Sequence, residues 1–159
     1  ADSSHTAIDA RIEHDRGFIR GSFYSESRNN GTPLQTNDTT IRQIAAGADA
    51  RLVGGSIIGR AWASDQDYAQ TFSAIAADRA SERLTVEQRV PARSAGASAQ
   101  WARAIGMRNA LVTGVEARQV SGASDELQYG PRGTTAVDTS GRQRTLSAYV
   151  ENVTAIDRM

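Results

Sequence analysis

The chain has no cysteine and no lysine. Without cysteine there can be no disulfide, no thiolate metal site and no thiol nucleophile. Every basic side chain is an arginine, and the 18 arginines are matched by 18 acidic residues. The resulting zero net charge gives no overall attraction to nucleic acid or to an anionic surface, so no nucleic-acid partner is expected. Arginine without lysine, beside abundant alanine, is the mark of a GC-rich bacterial genome. Histidine is nearly absent too: His5 and His14 both lie in the expected N-terminal tail, where a metal site would need ligands from elsewhere, so solvated histidines are the expected reading. No metal and no cofactor is therefore expected, and histidine-based catalysis finds no partner. No apolar run approaches the ~18–20 residues of a membrane-spanning helix, so a direct membrane span is not expected either. The opening Ala-Asp-Ser-Ser, in place of Met, fits a trimmed or signal-cleaved chain and favours a periplasmic or secreted location.

At 159 residues the chain has the length of one domain. Residues 1–16 are polar and weakly periodic and are expected to form a flexible N-terminal segment, leaving 17–159 as the folded unit. Residues 17–24 have the aromatic and β-branched content of a strand. Asp38 can cap a helix in which Ile41, Ile44, Ala45 and Ala48 follow at helical spacing, which predicts a helix over 39–50. Residues 51–59 form the next strand, with apolar groups on both faces. After a short polar loop at 64–67, Tyr68, Phe72, Ile75, Ala76, Arg79 and Ala80 fall on one stripe and predict a second helix. A third is predicted over 94–107, with Trp101, Ala104 and Ile105 on its apolar side. Strands are expected at 110–120 and 144–153. They flank a Gly/Ser/Thr-rich loop, 121–140, with a short hairpin at 127–129 and 135–137. The fold class expected is α/β (α+β): a two-layer sandwich with a mixed β-sheet, helices on one face, and the order β-α-β-α-(α)-β-β.

Three motifs carry a family resemblance. Gly59 ends a strand and is followed by Tyr68-Ala-Gln-Thr-Phe72-Ser73 and Arg79-Ala80. Thr113-Gly114-Val115-Glu116 lies in a later strand. Gly141-Arg142-Gln143-Arg144 precedes Tyr149-Val150-Glu151. Together they resemble the OmpA-like, peptidoglycan-associated domain of bacterial envelope proteins, including the pilus-biogenesis lipoproteins. The resemblance runs from about Phe18 to Val153 and implies a β-α-β-α-β sandwich. It implies partners among peptidoglycan or envelope assembly proteins. It also implies a ligand site in which a carboxylate and an arginine hold the peptide stem. Trp62 stands where that family has its ligand-binding Asp, so Asp65 or Asp67 would serve from the same loop, with Arg142 or Arg144 opposite.

The candidate ligand-binding residues are thus Trp62, Asp65, Asp67, Arg142 and Arg144, with no catalytic residue expected. Each also has a plainer reading. Asp65 and Asp67 suit a helix cap, and Trp62 suits burial over that helix. The function expected is a non-enzymatic envelope domain of the periplasm or outer membrane, in cell-wall association or in assembly of a pilus or secretion machine. Two alternatives remain open. One is a small α/β enzyme with a loop-borne site at Asp65, Glu116 and Arg142. The other is a pilin-like structural subunit.

Overall fold

The computed structural model describes residues 2–155, and within them every regular element is a β-strand. In chain order these are β1 (Ser3–His14), β2 (Gly17–Asn29), β3 (Thr36–Leu52), β4 (Gly55–Ile75), β5 (Glu82–Ile105), β6 (Asn109–Gly130) and β7 (Gly133–Thr154). They form one seven-stranded sheet in sequential order. Each strand is antiparallel to the next. The polar N-terminal segment supplies β1, one edge of the sheet, and the last strand supplies the other. The first residue and the last four of the expected segments lie outside the described residues.

The α/β sandwich is therefore overturned, because no helix occurs among the described residues. Residues 39–50 lie in β3. Residues 68–80 run from β4 into the turn at 76–81. Residues 94–107 belong to β5 and the turn after it. The long loop at 121–140 is the body of a hairpin between β6 and β7. The physical reason is alanine. Its methyl satisfies an apolar position at period 3.6 and at period 2 alike, so an alanine-rich stretch fits both templates. On β3, Ile44, Ala46, Ala48, Ala50 and Leu52 share one face at strict alternation. Pairing on both sides selects that period, because strand preference depends on cross-strand neighbours more than on the residue itself. The expected strands at 17–24, 110–120 and 144–153 lie inside β2, β6 and β7, but the one expected at 51–59 is split by the turn at 53–54 between β3 and β4.

Connections at the two ends of the sheet differ. At one end the strands turn tightly, at 15–16, 53–54 and 106–108. At the other lie longer connections at 30–35 and 76–81, joined through Glu82, which accepts from the Leu34 amide at 3.3 Å, and a tight turn at 131–132. Val53 and Gly54 both have positive φ, 51° and 69°. A two-residue hairpin turn of the mirror-image type needs that conformation, and a β-branched residue adopts it only under strain.

The sheet has no core. No hydrophobic side chain is buried among the described residues, and both edge strands are exposed along their whole length. A folded soluble monomer of this size exposes roughly 7,700 Å². This chain exposes 11688 Å². A domain normally buries one layer against another, and here the second layer is missing.

Candidate functional site

Residues directly opposite in the register share a face of the sheet, so the pairing sorts the side chains into two surfaces. One surface carries an apolar band. Three successive cross-strand rows build it. The first runs Ala50, Ile57, Trp101, Thr113, Val150. The second runs His14, Gly17, Ala48, Gly59, Ala99, Val115, Ala148. The third runs Ile12, Ile19, Ala46, Ala61, Ala97, Ala117, Leu146. No aspartate, glutamate or arginine stands in any of the three. The large side chains lie open: Ile12 is 76% exposed, Leu146 82% and Val150 75%.

The band ends abruptly in charge. The fourth row, Ala10, Gly21, Ile44, Ala63, Ala95, Gln119, Arg144, admits one arginine at the β7 edge. In the fifth row Ile8 and Phe23 are followed by Arg42, Asp65, Arg93, Ser121 and Arg142. The border thus runs obliquely, staying apolar for longer on β1 and β2 than on β6 and β7. Asp65 accepts from Arg93 Nε at 2.9 Å and lies 3.5 Å from Arg42 Nη1. One row further, Asp67 pairs side-on with Arg89, whose Nε donates at 2.9 Å. That hydrogen bond and the arginine charge hold the Asp67 carboxyl below its ordinary value and raise Arg89 above its own.

The opposite surface is polar at the same height. It presents Asp9, Arg11, Glu13, Arg20, Asp49, Arg60, Glu116 and Arg118, the residues that alternate with the band. Arg20 meets Asp9 at 2.7 Å, and Arg11 lies 4.1 Å over the Phe18 ring. Further along, a hydrogen-bonded chain crosses four strands. The Tyr68 hydroxyl lies 3.0 Å from the Asn37 amide and 2.7 Å from Gln70 Oε1; Gln70 reaches Gln88, which donates to Ser124 at 2.9 Å and Glu126 at 2.8 Å.

Three aromatic rings on this polar surface lie over glycines directly opposite: Phe18 on Gly47, Trp62 on Gly96 and Tyr149 on Gly114. A Cβ on any of these glycines would come within 2.5 Å of the ring. The ring covers backbone that the missing side chain would leave bare, a device used in curved and closed sheets.

These placements separate the residues singled out from sequence. Asp65 and Asp67 share a face, but their arginine partners are Arg42, Arg93 and Arg89. Arg142 stands in the Asp65 row three strands away, about 14 Å at the usual strand spacing, and Arg144 donates to Gln119 Oε1 at 2.9 Å. Trp62 points to the other face, over Gly96. Glu116 is also on that other face, so Asp65, Glu116 and Arg142 do not converge. Among the described residues no group of three or more His, Asp or Glu side chains could hold a metal ion. The arginines at 42, 89 and 93 escaped the sequence reading; an alternating count along β3 and β5 would have found them. No protein-family model matches the chain, and no curated protein matches it.

Proposed function

We propose that the chain is part of the wall of a membrane-spanning β-barrel of the bacterial envelope, with the apolar band against lipid and the polar surface lining an aqueous interior. The observation that carries this is the band itself. On β3 and β4 it covers residues 44–52 and 55–63, about nine residues each, the ~9–11 that a tilted strand needs to cross hydrocarbon. Alternation of apolar-out with polar-in, and tight turns at one end against two longer connections beside one tight turn at the other, fit the pattern of outer-membrane-type barrels. The oblique border agrees with strand tilt. No helix among the described residues is long and apolar enough to cross a membrane; the sequence argument against a span concerned helices, and strands cross by a different rule. This reading keeps the envelope setting expected from sequence and moves it from cell-wall contact to the membrane, because a band free of charge has no use against a hydrated polymer.

The test uses the lack of native cysteine. Single cysteines at Ala61, Ala97, Ser64 and Ser98 are labelled with a fluorophore, and the chain is reconstituted in phosphatidylcholine vesicles. Spin labels on the acyl chains should quench Ala61 and Ala97, while a water-soluble quencher should reach Ser64 and Ser98. Equal aqueous quenching at all four positions would refute the membrane reading.

A further inference from the structure

We propose that the trough between Arg93 and Arg142, on the lipid-facing surface, binds the phosphate headgroup of a membrane lipid whose acyl chain lies in the alanine groove beneath it. The inference rests on the membrane reading above and adds a binding site to it.

The trough is a shallow depression of about 630 Å³ flanked by the two arginines. Ser121 and Ser140 face into it from β6 and β7. Arg93 meets Asp65 through Nε, so its two Nη groups carry no protein hydrogen bond among the described residues. Arg142 makes no ion pair there either. Arginine at two sides and hydroxyls between them suit a phosphate, which guanidinium groups bind in bidentate fashion. The charge around the trough has the right sign. The fourth and fifth rows hold Arg42, Arg93, Arg142 and Arg144 against Asp65 alone. Beyond them, Asp125 stands directly opposite Asp138 and sets an anion-repelling limit on the far side.

A second depression of about 530 Å³ lies next to the trough on the band side, lined on this face by Ala95, Gln119 and Arg144 and, beyond them, by Ala117 and Leu146. An anion held by Arg93 and Arg142 would sit at the hydrocarbon border, and a channel from it passes Gln119 and Arg144 before it reaches the apolar band. That arrangement matches a lipid and gives a free phosphate no use for the groove. Arginines at this depth attract anionic headgroups electrostatically.

The experiment uses the full chain with a fluorophore on a cysteine at Ala97, in phosphatidylcholine vesicles. Acyl-chain spin-labelled phosphatidic acid is compared with acyl-chain spin-labelled phosphatidylcholine. Phosphatidic acid should associate about tenfold more strongly than phosphatidylcholine. In Arg93→Gln/Arg142→Gln that preference should fall to about one, with phosphatidylcholine quenching unchanged. The charge-matched Arg16→Gln/Arg83→Gln should keep the full preference. A preference that survives Arg93→Gln/Arg142→Gln, or that falls equally in the control, overturns the site while leaving the barrel standing. Displacement of the lipid by an equal concentration of inorganic phosphate overturns the lipid assignment in favour of a soluble anion. Absence of quenching by either lipid overturns the membrane reading and the site with it.

Discussion

Asp65 and Asp67 were legible in the sequence as a pair with chemistry, and their partners were not. Two carboxylates at i and i+2 share a face of a strand, yet which arginines they meet depends on register, and register is set by strands tens of residues away. Asp65 meets Arg42 from β3 and Arg93 from β5, and Asp67 meets Arg89. The pairs lie at the water-exposed border, which bounds their energetic weight. The Asp67 carboxyl is held below its ordinary value by the Arg89 hydrogen bond and charge. A depressed folded value means the pair stabilises the fold above the unfolded aspartate value of about 3.9, and that this contribution is lost as pH falls through the folded value. Asp67→Asn should therefore cost less than about 1 kcal/mol at pH 7, the screened range for exposed pairs. The difference from the parent chain should begin to shrink as the pH is lowered below about 4 and vanish only once it passes below the depressed folded value. Guanidinium unfolding of both chains in lipid across that pH range measures it.

Alanine decided how much of each element could be anticipated. Ile41, Ile44, Ala45 and Ala48 suit a helix, while Ile44, Ala46, Ala48, Ala50 and Leu52 suit a strand, and the same letters serve both. Where β-branched residues dominate, as in Ala110-Leu-Val-Thr-Gly-Val, the strand was plain. Pro91 looked like a boundary, yet it lies within β5, paired with Asp67 of β4. The described ladder to β6 skips it and Val90, as a residue without an N–H requires. Alternation also makes a sharp prediction at adjacent positions. Ala97 lies in the apolar band and Ser98 on the polar surface. Ala97→Arg should destabilise the reconstituted chain by roughly 2–4 kcal/mol, the cost of arginine near the bilayer midplane. Ser98→Arg, one residue on, should cost far less. Equilibrium unfolding from lipid vesicles distinguishes the two, and equal costs would contradict the assignment of faces.

The whole sheet lacks the burial of a soluble monomer. It exposes about 4,000 Å² more than a soluble monomer of its size would, buries no hydrophobic side chain among the described residues, and leaves β1 and β7 as open edges. On the membrane reading proposed above, open edges would not occur in hydrocarbon, where every backbone N–H and C=O must be paired, so β1 and β7 would each need a pairing partner, which a second copy of this chain could supply. The chain should accordingly give weak or aggregating β-structure in buffer. It should give a stable, protease-resistant β signal only in detergent or lipid, measured by circular dichroism with limited proteolysis. A monodisperse, protease-resistant β-protein in plain buffer would contradict this.

By itself the sequence determined the absence of thiol chemistry, the balance of charge, the strands at 17–24 and 110–120 and the alternation within each. Those are local properties, set by residue identity and the period of the backbone. Only the tertiary structure decided that the alanine-rich stretches are strands. It alone aligned the seven apolar stripes into one uncharged band with an arginine border, and sent Trp62 and Glu116 to one face and Asp65 and Arg142 to the other. The reason is that alanine leaves the local choice nearly neutral, and pairing across antiparallel neighbours then selects one period and one register for the whole sheet.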